Sequence, residues 1–223
     1  NEESYALQKF ARTVMKSNNV ALATGFPEQN HESELACTLK TIDGTTIRDI
    51  RNADCIICIG INPFESHPIL GLEILHALKT PRSDSGKGAS LIAIDARQTR
   101  LVQEADVWLQ PNLATDHILL TGVVKALVDG EVIAQNSEFP DLDLDEVTSI
   151  TGVEQGEIAK AAQLLTEHLA VPRQEQEGQP AKALVIYGSG VTHYPTAMHV
   201  IAAIHNLAFV VNKAFGAGKL DVI

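Results

Sequence analysis

Several residues suited to nucleotide binding follow apolar runs in this sequence. Gly60 comes directly after one run and would let the backbone approach a ligand, and Asn62 offers both a hydrogen-bond donor and an acceptor. Asp95 ends another run, where a carboxylate can accept from a ribose diol or a guanine edge, and Arg97 could contact a phosphate through two donors. Asp116 could accept from an amide edge or cap its own helix. Each residue also has an ordinary structural interpretation, so the prediction depends on their shared position at strand ends.

Cys55 and Cys58 form a C-x-x-C motif, a spacing found in metal and redox sites. The surrounding run 53–59 predicts a buried strand, in which residues three apart point to opposite faces of the sheet. We therefore expect the two thiols to share no metal ion. Cys37 brings the count to three, which does not indicate a disulfide framework and favours a reducing compartment.

The common catalytic and nucleotide-binding motifs are missing from the sequence. The loop after run 54–59 reads Gly-Ile-Asn-Pro-Phe-Glu rather than G-x-G-x-x-G, which disfavours a conventional NAD site. There is no G-x-x-x-x-G-K-[ST], H-E-x-x-H or G-x-S-x-G, and Gly188-Ser189-Gly190 lacks the spacing of a nucleophile elbow. The motifs therefore predict no nucleophile.

The alternation of apolar segments predicts the elements that would position these residues. The predicted strands are 20–23, 54–59, 89–94, 107–109 and 183–187, and the main helices are 3–16, 68–78, 115–127, 148–169 and 196–211. Thr115 and Asp116 are possible helix caps, and Thr151 to Glu154 has the spacing of a capping box. Strands that are apolar on both faces and separated by helices predict a doubly wound, mostly parallel α/β sheet with helices on both faces.

In a doubly wound sheet the ligand site lies at the carboxyl ends of the strands. The segments that follow the predicted strands are 24–28, 60–68, 95–99, 110–116 and 188–194. Gly60, Asp95, Asp116, Gly188 and Gly190 all lie in these segments. We therefore predict that these five residues converge on one edge of the sheet.

The composition is that of a globular domain. Of 223 residues, 45% are hydrophobic and 20% charged, which suits a single α/β domain, and segment 172–181 predicts a surface loop or linker. The formal net charge of −11 disfavours nucleic acid and anionic bilayers as partners. No continuous apolar run approaches the roughly 18 to 20 residues of a membrane helix, so we expect a soluble chain. Because residue 1 is Asn, we expect the domain to be excised from a longer polypeptide.

Segment 53–68 is an apolar run followed by the loop that begins Gly-Ile-Asn-Pro, and segment 91–99 is an apolar run followed by Asp-Ala-Arg. Both segments resemble the molybdopterin oxidoreductases, in particular formate dehydrogenase alpha subunits and the large peripheral subunit of NADH:quinone oxidoreductase. The first is similar to the strand and loop that the family places on its guanine dinucleotide cofactor, and the second resembles a strand ending in Asp-Pro-Arg, with Ala96 in place of proline. Ala114-Thr115-Asp116 resembles Gly-Thr-Asp, with alanine for glycine. Further similar segments are 7–12, 18–20, 104–106, 150–158, 187–193 and 205–208, so the resemblance follows nearly the whole chain.

The resemblance implies a cofactor and the residues that would bind it. The cofactor would be molybdopterin guanine dinucleotide, with Mo or W held only through the pterin, and iron–sulfur clusters would lie elsewhere in the parent chain. The residues assigned to the dinucleotide are Gly60, Asn62, Glu65, His67, Asp95, Arg97, Thr115, Asp116, Gly188 and His193. The domain would serve electron transfer with other subunits or domains of an oxidoreductase complex. That complex would be cytoplasmic or peripheral to the inner membrane.

One departure from the family concerns catalysis. Family enzymes that act on formate carry a Cys or selenocysteine metal ligand shortly after the segment matched by 18–20, whereas residues 21–29 hold no thiol and Cys37 comes too late. The resemblance therefore implies a cofactor-binding or vestigial domain without this direct ligand. The alternatives are an active Mo or W formate dehydrogenase, a non-catalytic structural docking module, and the nucleotide-binding middle domain of a thiamine-diphosphate enzyme.

Overall fold

A parallel sheet of five strands forms the centre of the computed structural model, which describes residues 2–20, 46–81, 88–130, 143–170, 182–216 and 218–222. The strands are β1 (Cys55–Ile59), β2 (Ser90–Ile94), β3 (Val107–Leu109), β4 (Ala183–Tyr187) and β5 (Leu220–Val222). Their order is β3-β2-β1-β4-β5, and every pairing is parallel. The order reverses between β1 and β4, so the carboxyl ends of these two strands form the switch point at which doubly wound sheets bind ligands.

The central strands are apolar on both faces because each face of the sheet is covered. All residues of β1 and β2 are buried. Ile57 and Ile59 belong to the core on one face, and Ile56 belongs to the core on the other. Ile57 pairs with Ile92 on one side and Val185 on the other, and both partners belong to the same core as Ile57. The predicted α/β architecture is confirmed.

Helices supply the outer layers. They are α1 (Glu2–Thr13), α2 (Pro63–Ser66), α3 (Pro68–Lys79), α4 (Asp116–Asp129), α5 (Leu144–Thr151), α6 (Gln155–Ala170), α7 (Ser189–Thr192) and α8 (Ala197–Phe215). Two 3-10 helices cover Ile47–Asn52 and Leu101–Glu104. Residues of α4, α5, α6 and α8 fill the core on one face, while residues of α3 and both 3-10 helices fill the core on the other. In α1, the apolar side chains of Tyr5, Leu7 and Phe10 are at least half exposed.

The helix predicted over 148–169 is in fact two helices. The first, α5, ends at Thr151, and Gly152 then adopts a left-handed conformation with a φ of 75°, which glycine tolerates without steric cost. The second, α6, begins at Gln155. The predicted capping box is wrong, because Thr151 is the last residue of α5 and its hydroxyl oxygen accepts from the Val153 N–H at 3.2 Å rather than from Glu154.

The sequence does not predict β5, which is only three residues long. Its middle residue, Asp221, is charged yet buried, and its carboxylate lies 2.6 Å from the Lys182 Nζ. The Asn212 side chain in α8 makes three hydrogen bonds to the backbone of Lys219 and Leu220. Contacts from distant parts of the chain therefore position β5, and its own sequence pattern carries little information.

Other predictions fall on loops or outside the described residues. Within the predicted loops 60–68 and 188–194, the structure contains the short helices α2 and α7. Of the predicted strand 20–23 only Val20 is described, and it has no regular structure. The loop 24–28, the linker 172–181 and the residue Cys37 lie outside the described residues.

In the part of the chain that the structure describes, α8 alone is long and apolar enough to cross a membrane by length and composition. The sequence criterion of a continuous apolar run missed this helix, because polar residues such as Asn206 and Lys213 interrupt it. Nine of its residues, including Ile201, Ile204 and Val211, are buried, and these three lie in the core. In this fold α8 is a core helix.

Candidate functional site

Two glycine-containing loops pack against each other at the carboxyl edge of the sheet. Gly60, after β1, has a φ of 55°, and its carbonyl oxygen accepts from the Gly190 N–H at 2.9 Å. A Cβ on Gly190 would lie 2.6 Å from the Gly60 oxygen, and a Cβ on Gly188 would lie 2.8 Å from the Ile61 Cβ. The loops after β1 and β4 therefore need these glycines to approach each other closely.

The backbone N–H groups of Gly60, Gly188 and Gly190 all donate to carbonyl oxygens within the protein. Gly60 donates to the Ile94 carbonyl oxygen, Gly188 donates to that of Ile59, and Gly190 donates to Gly60. We expected the glycines to let the backbone approach a ligand, whereas the structure gives them a different role in the packing of two loops. Direct contact of Gly60 or Gly188 with a ligand stays a prediction.

Asp95 is buried at the end of β2, with only 8% of its surface exposed. Its Oδ1 accepts from the Arg97 N–H at 2.8 Å, whereas its Oδ2 is buried and has no hydrogen-bond partner among the described residues. The Arg97 side chain is 70% exposed, and its Nε lies 3.7 Å from the same Oδ1. The Trp108 indole N–H donates to the Asp95 carbonyl oxygen at 2.9 Å. Asp95 therefore presents a fixed acceptor beside an exposed cation.

Asp116 is the first residue of α4 and lies near Asp95. Burial raises the pKa of the Asp116 carboxyl, its own backbone N–H lowers that pKa, and the negative charge of Asp95 raises it again. Thr115 occupies the N-cap position, but its hydroxyl donates to the Asn112 carbonyl oxygen at 2.7 Å and makes no capping bond. The predicted side-chain cap at Thr115 is therefore wrong. The edge of the sheet carries two neighbouring carboxylates.

Five buried side-chain atoms along this edge have no hydrogen-bond partner in the described part of the chain. They are Asn62 Oδ1 after β1, Asp95 Oδ2 and Thr99 Oγ1 after β2, His117 Nδ1 at the start of α4, and Thr196 Oγ1 at the start of α8. A sixth such atom, Thr148 Oγ1, lies in α5. An unpaired buried polar atom costs about 1–3 kcal/mol, so its usual explanation is a partner that is not part of the chain. The concentration of these atoms at one edge makes this edge the candidate binding site.

Besides Arg97, three of the predicted site residues are exposed. Glu65 belongs to α2 and His67 lies between α2 and α3, where the His67 Nδ1 is 2.9 Å from the Ser66 Oγ. His193 directly follows α7. These side chains stand in solvent, whereas Asp95, Arg97 and Asp116 lie together at the sheet edge. A role for Glu65, His67 and His193 in cofactor binding stays a prediction.

The sequence interpretation missed His117, Thr196 and His199. His117 and His199 lie in the first turns of α4 and α8, and their ring centroids are 5.6 Å apart. Burial lowers the pKa of His117, and the neighbouring His199 lowers it further. Position was the available signal, because both histidines begin helices that follow predicted strand ends, the rule that selected Asp116.

The C-x-x-C motif is part of the core. Cys55 packs in the core on one face of the sheet and Cys58 in the core on the other, so the prediction that the thiols face opposite sides is confirmed. Burial raises the pKa of the Cys55 thiol to about 12 and also raises that of Cys58. Both thiols are therefore protonated near neutral pH, and only the thiolate reacts or binds metals.

The chain that forms this doubly wound sheet belongs to the molybdopterin oxidoreductase family. The family model matches residues 1–221. The chain is 30% identical over 216 residues to the formate dehydrogenase subunit alpha of Methanocaldococcus jannaschii, covering 94% of this chain and 30% of that protein. It is 25% identical over 225 residues to formate dehydrogenase H of Escherichia coli, covering 93% of this chain and 28% of that protein. The chain thus spans less than a third of the length of these relatives.

A solved structure supports the fold. Acetylene hydratase from Pelobacter acetylenicus superposes with a TM-score of 0.53 at 19% identity, covering 78% of this chain and 25% of that chain. At this identity the likeness concerns the fold alone. The expected family and architecture are confirmed, and the alternative of a thiamine-diphosphate enzyme is wrong. The chain is a molybdopterin oxidoreductase domain similar to formate dehydrogenase alpha subunits.

Proposed function

We propose that the carboxyl edge of the sheet binds the guanine nucleotide half of molybdopterin guanine dinucleotide. The observation that carries this proposal is the row of unpaired buried polar atoms, among which Asp95 Oδ2 belongs to a side chain with almost no exposed surface. Membership of the family supplies the class of cofactor. The row of atoms supports a position along the carboxyl edge of the sheet, where ligands bind in doubly wound folds.

The unpaired atoms fit a ligand that brings N–H and O–H donors. Asp95 Oδ2 and Asn62 Oδ1 are acceptors, which the amide edge of guanine or a ribose diol would satisfy. Asp116 adds a second carboxylate, and the exposed guanidinium of Arg97 would pair with the diphosphate. When bound, the group supplies molybdenum or tungsten held by its pterin. The residues named here bind and orient only its nucleotide end.

The parent protein is proposed to transfer electrons as one subunit of a cytoplasmic oxidoreductase complex, with iron–sulfur clusters elsewhere in its chain. The formate dehydrogenase branch is favoured over the NADH:quinone oxidoreductase branch, because the relatives described above are named formate dehydrogenases. Metal analysis of the full-length protein tests the role. Stoichiometric Mo or W would support a cofactor-loaded subunit, and its absence from protein isolated from its native source would favour the vestigial scaffold.

A nucleotide titration of the 223-residue chain tests the binding site. Trp108 is the single tryptophan and donates to the Asp95 carbonyl oxygen, so its fluorescence reports directly on this strand end. GDP should bind more tightly than ADP or CDP. Inosine diphosphate lacks the guanine 2-amino group and 2′-deoxy-GDP lacks one ribose hydroxyl, so comparing them identifies the donors that Asp95 accepts.

The Asp95→Asn variant should weaken GDP binding about tenfold to a hundredfold, because a hydrogen bond to a charged group contributes about 1.5–3 kcal/mol. The substitution keeps the side-chain shape and replaces an acceptor oxygen with a donor. Asp129→Asn is the matched control, since Asp129 ends α4 and pairs with Lys125 at 2.9 Å. Equal affinity for GDP and ADP, or an unchanged affinity in Asp95→Asn, would refute the proposal.

A further inference from the structure

We propose that Trp108 and Gln110 are positioning residues that hold the turn after β2, so that the Asp95 carboxylate is oriented toward the ligand. This inference rests on the proposed nucleotide site and adds two residues to it. Neither side chain is assigned a contact with the nucleotide. Both act through the backbone of residues 95–97.

The backbone pairing between β2 and β3 ends where this turn begins. The register pairs Ile94 with Leu109, the last residues of the two strands. One more backbone hydrogen bond follows, from the Asp95 N–H to the Leu109 carbonyl oxygen at 3.3 Å. β3 is three residues long and lies at one edge of the described sheet. Beyond this point the contacts between the two segments come from side chains.

Two side chains of the β3 segment bind successive carbonyl oxygens of the turn. The Trp108 indole N–H donates to the Asp95 carbonyl oxygen at 2.9 Å, and the Gln110 Nε2 donates to the Ala96 carbonyl oxygen at 3.0 Å. Residues two apart along a strand point to the same face, so both side chains reach the turn from one side. Because each peptide unit is rigid and planar, these two bonds fix the orientation of two successive peptide planes.

The second of these peptide planes carries the N–H that orients the Asp95 side chain. The Ala96 carbonyl and the Arg97 N–H belong to one trans peptide unit, in which they point in opposite directions. Gln110 holds the carbonyl end, and the N–H end donates to the Asp95 Oδ1 at 2.8 Å. With Oδ1 held, Oδ2 is the oxygen left for the ligand, since it has no partner among the described residues.

The orientation of this peptide plane affects affinity because hydrogen bonds depend on angle. A bond weakens steeply as the angle at the hydrogen falls toward about 120°, so a tilted Asp95 would bind the same ligand less tightly. Gln110 is exposed, and the hydrogen bond to Ala96 is the contact recorded for its side chain in the described structure. Replacing an exposed glutamine should leave the core intact, which separates positioning from folding.

A double-mutant cycle with Gln110→Met and Asp95→Asn tests the proposal by calorimetric titration of the 223-residue chain with GDP. Methionine keeps the length of the side chain and removes the donor. Gln110→Met should weaken GDP binding about twofold to tenfold, the range expected of one net hydrogen bond. In the Asp95→Asn background the effect should fall below about twofold, because the oriented acceptor is already lost. Trp108→Phe should show the same dependence on Asp95.

Gln163→Met is the matched control. Gln163 is an exposed glutamine of α6 whose Nε2 donates to the Glu167 Oε1 at 2.8 Å, far from the turn in sequence. This variant should leave GDP affinity unchanged. Amide exchange of the free chain adds a measurement without nucleotide: the Arg97 N–H should exchange about twofold to tenfold faster in Gln110→Met and at an unchanged rate in Gln163→Met.

The outcomes separate this inference from the nucleotide proposal. Equal weakening by Gln110→Met in both backgrounds would show a general structural effect and overturn the positioning role. An unchanged Arg97 exchange rate in Gln110→Met would also overturn it, while GDP binding by the unmodified chain would still support the nucleotide site. Faster Arg97 exchange without any GDP binding by the unmodified chain would refute the nucleotide site and leave only the fixed turn.

Discussion

The negative charge of Asp95, at the end of β2, raises the pKa of the Asp116 carboxyl group at the start of α4. Burial is the main cause of the raised pKa of Asp116, and the charge of Asp95 adds to it. The parallel pairing of β2 with β3 explains the proximity, because it brings the segments after both strands to one edge. The two carboxylates, far apart in sequence, thereby face one site.

Replacing Asp116 with Asn should stabilise the chain at neutral pH. The folded pKa is raised above the ordinary value of 3.8, so the folded state holds the proton more tightly than the unfolded state. The stability from this group is fully present below the unfolded pKa and is lost as the pH rises through the folded pKa. Asparagine has no charge to bury, so the variant avoids that loss.

Urea unfolding at about pH 3 and about pH 7 measures this effect. The gain in free energy of unfolding should be present at the higher pH and vanish at the lower one. Asp143→Asn is a contrasting control, because the Asp143 side chain caps α5 by accepting from the Asp145 N–H at 3.2 Å. A gain for Asp116→Asn that is equal at both values would show that its carboxyl pKa is not raised.

Replacing Gly190 with Ala should destabilise the chain by about 1–3 kcal/mol, because overpacking forces the backbone to move. The new Cβ would lie 2.6 Å from the Gly60 oxygen and 2.9 Å from the Gly60 Cα, and neither atom belongs to a flexible side chain. Gly156→Ala is the matched control, since nothing lies within 4 Å of a Cβ there and the residue is helical. That change should be neutral or stabilise by up to about 1 kcal/mol.

Thermal or urea unfolding of both variants checks this prediction. Equal stability of the two would mean that the loops after β1 and β4 do not pack as described. The GDP titration adds a second measurement, because Gly190→Ala should also move the loop that carries Asn62.

The sequence predicts most of the sheet because its strong patterns are local. The strands at 107–109 and 183–187 coincide with β3 and β4, and the segment 54–59 differs from β1 by one residue. Each is apolar on both faces, which only a strand covered on two sides explains. The switch-point rule then grouped Asp95 with Asp116 correctly, because it depends on topology alone.

The parts that sequence reasoning missed depend on contacts between distant segments. β5 is positioned by Asn212 and Lys182, neither of which marks a strand. The pairing of His117 with His199 arises where α4 packs on α8, and no spacing along the chain predicts it. The cap at Thr115 is wrong because the Thr115 hydroxyl donates to the Asn112 carbonyl oxygen and accepts from no N–H group of α4.

Ala114→Gly should stabilise the chain. Ala114 has a φ of 66°, in the left-handed region where an L-residue with a Cβ loses about 1–2 kcal/mol relative to glycine. Glycine adds conformational freedom to the unfolded chain, which offsets part of the gain by about 0.4–1 kcal/mol. The net increase in the free energy of unfolding should lie between about zero and about 1.6 kcal/mol. Ala114→Val should instead destabilise it, and stabilisation by valine would exclude a left-handed conformation.

Cys55 and Cys58 should resist thiol reagents while the chain is folded. Both thiols are buried, and burial raises the pKa of Cys55 to about 12, so almost no reactive thiolate exists near neutral pH. In a Cys37→Ser background, reaction with a chromogenic disulfide should release no thiol from the folded chain and two equivalents after unfolding. Labelling at increasing urea concentrations is the control. Both thiols should become reactive over the same urea range if β1 belongs to one cooperative core. Rapid labelling of either cysteine in the folded chain would contradict the burial of β1 between two helical layers.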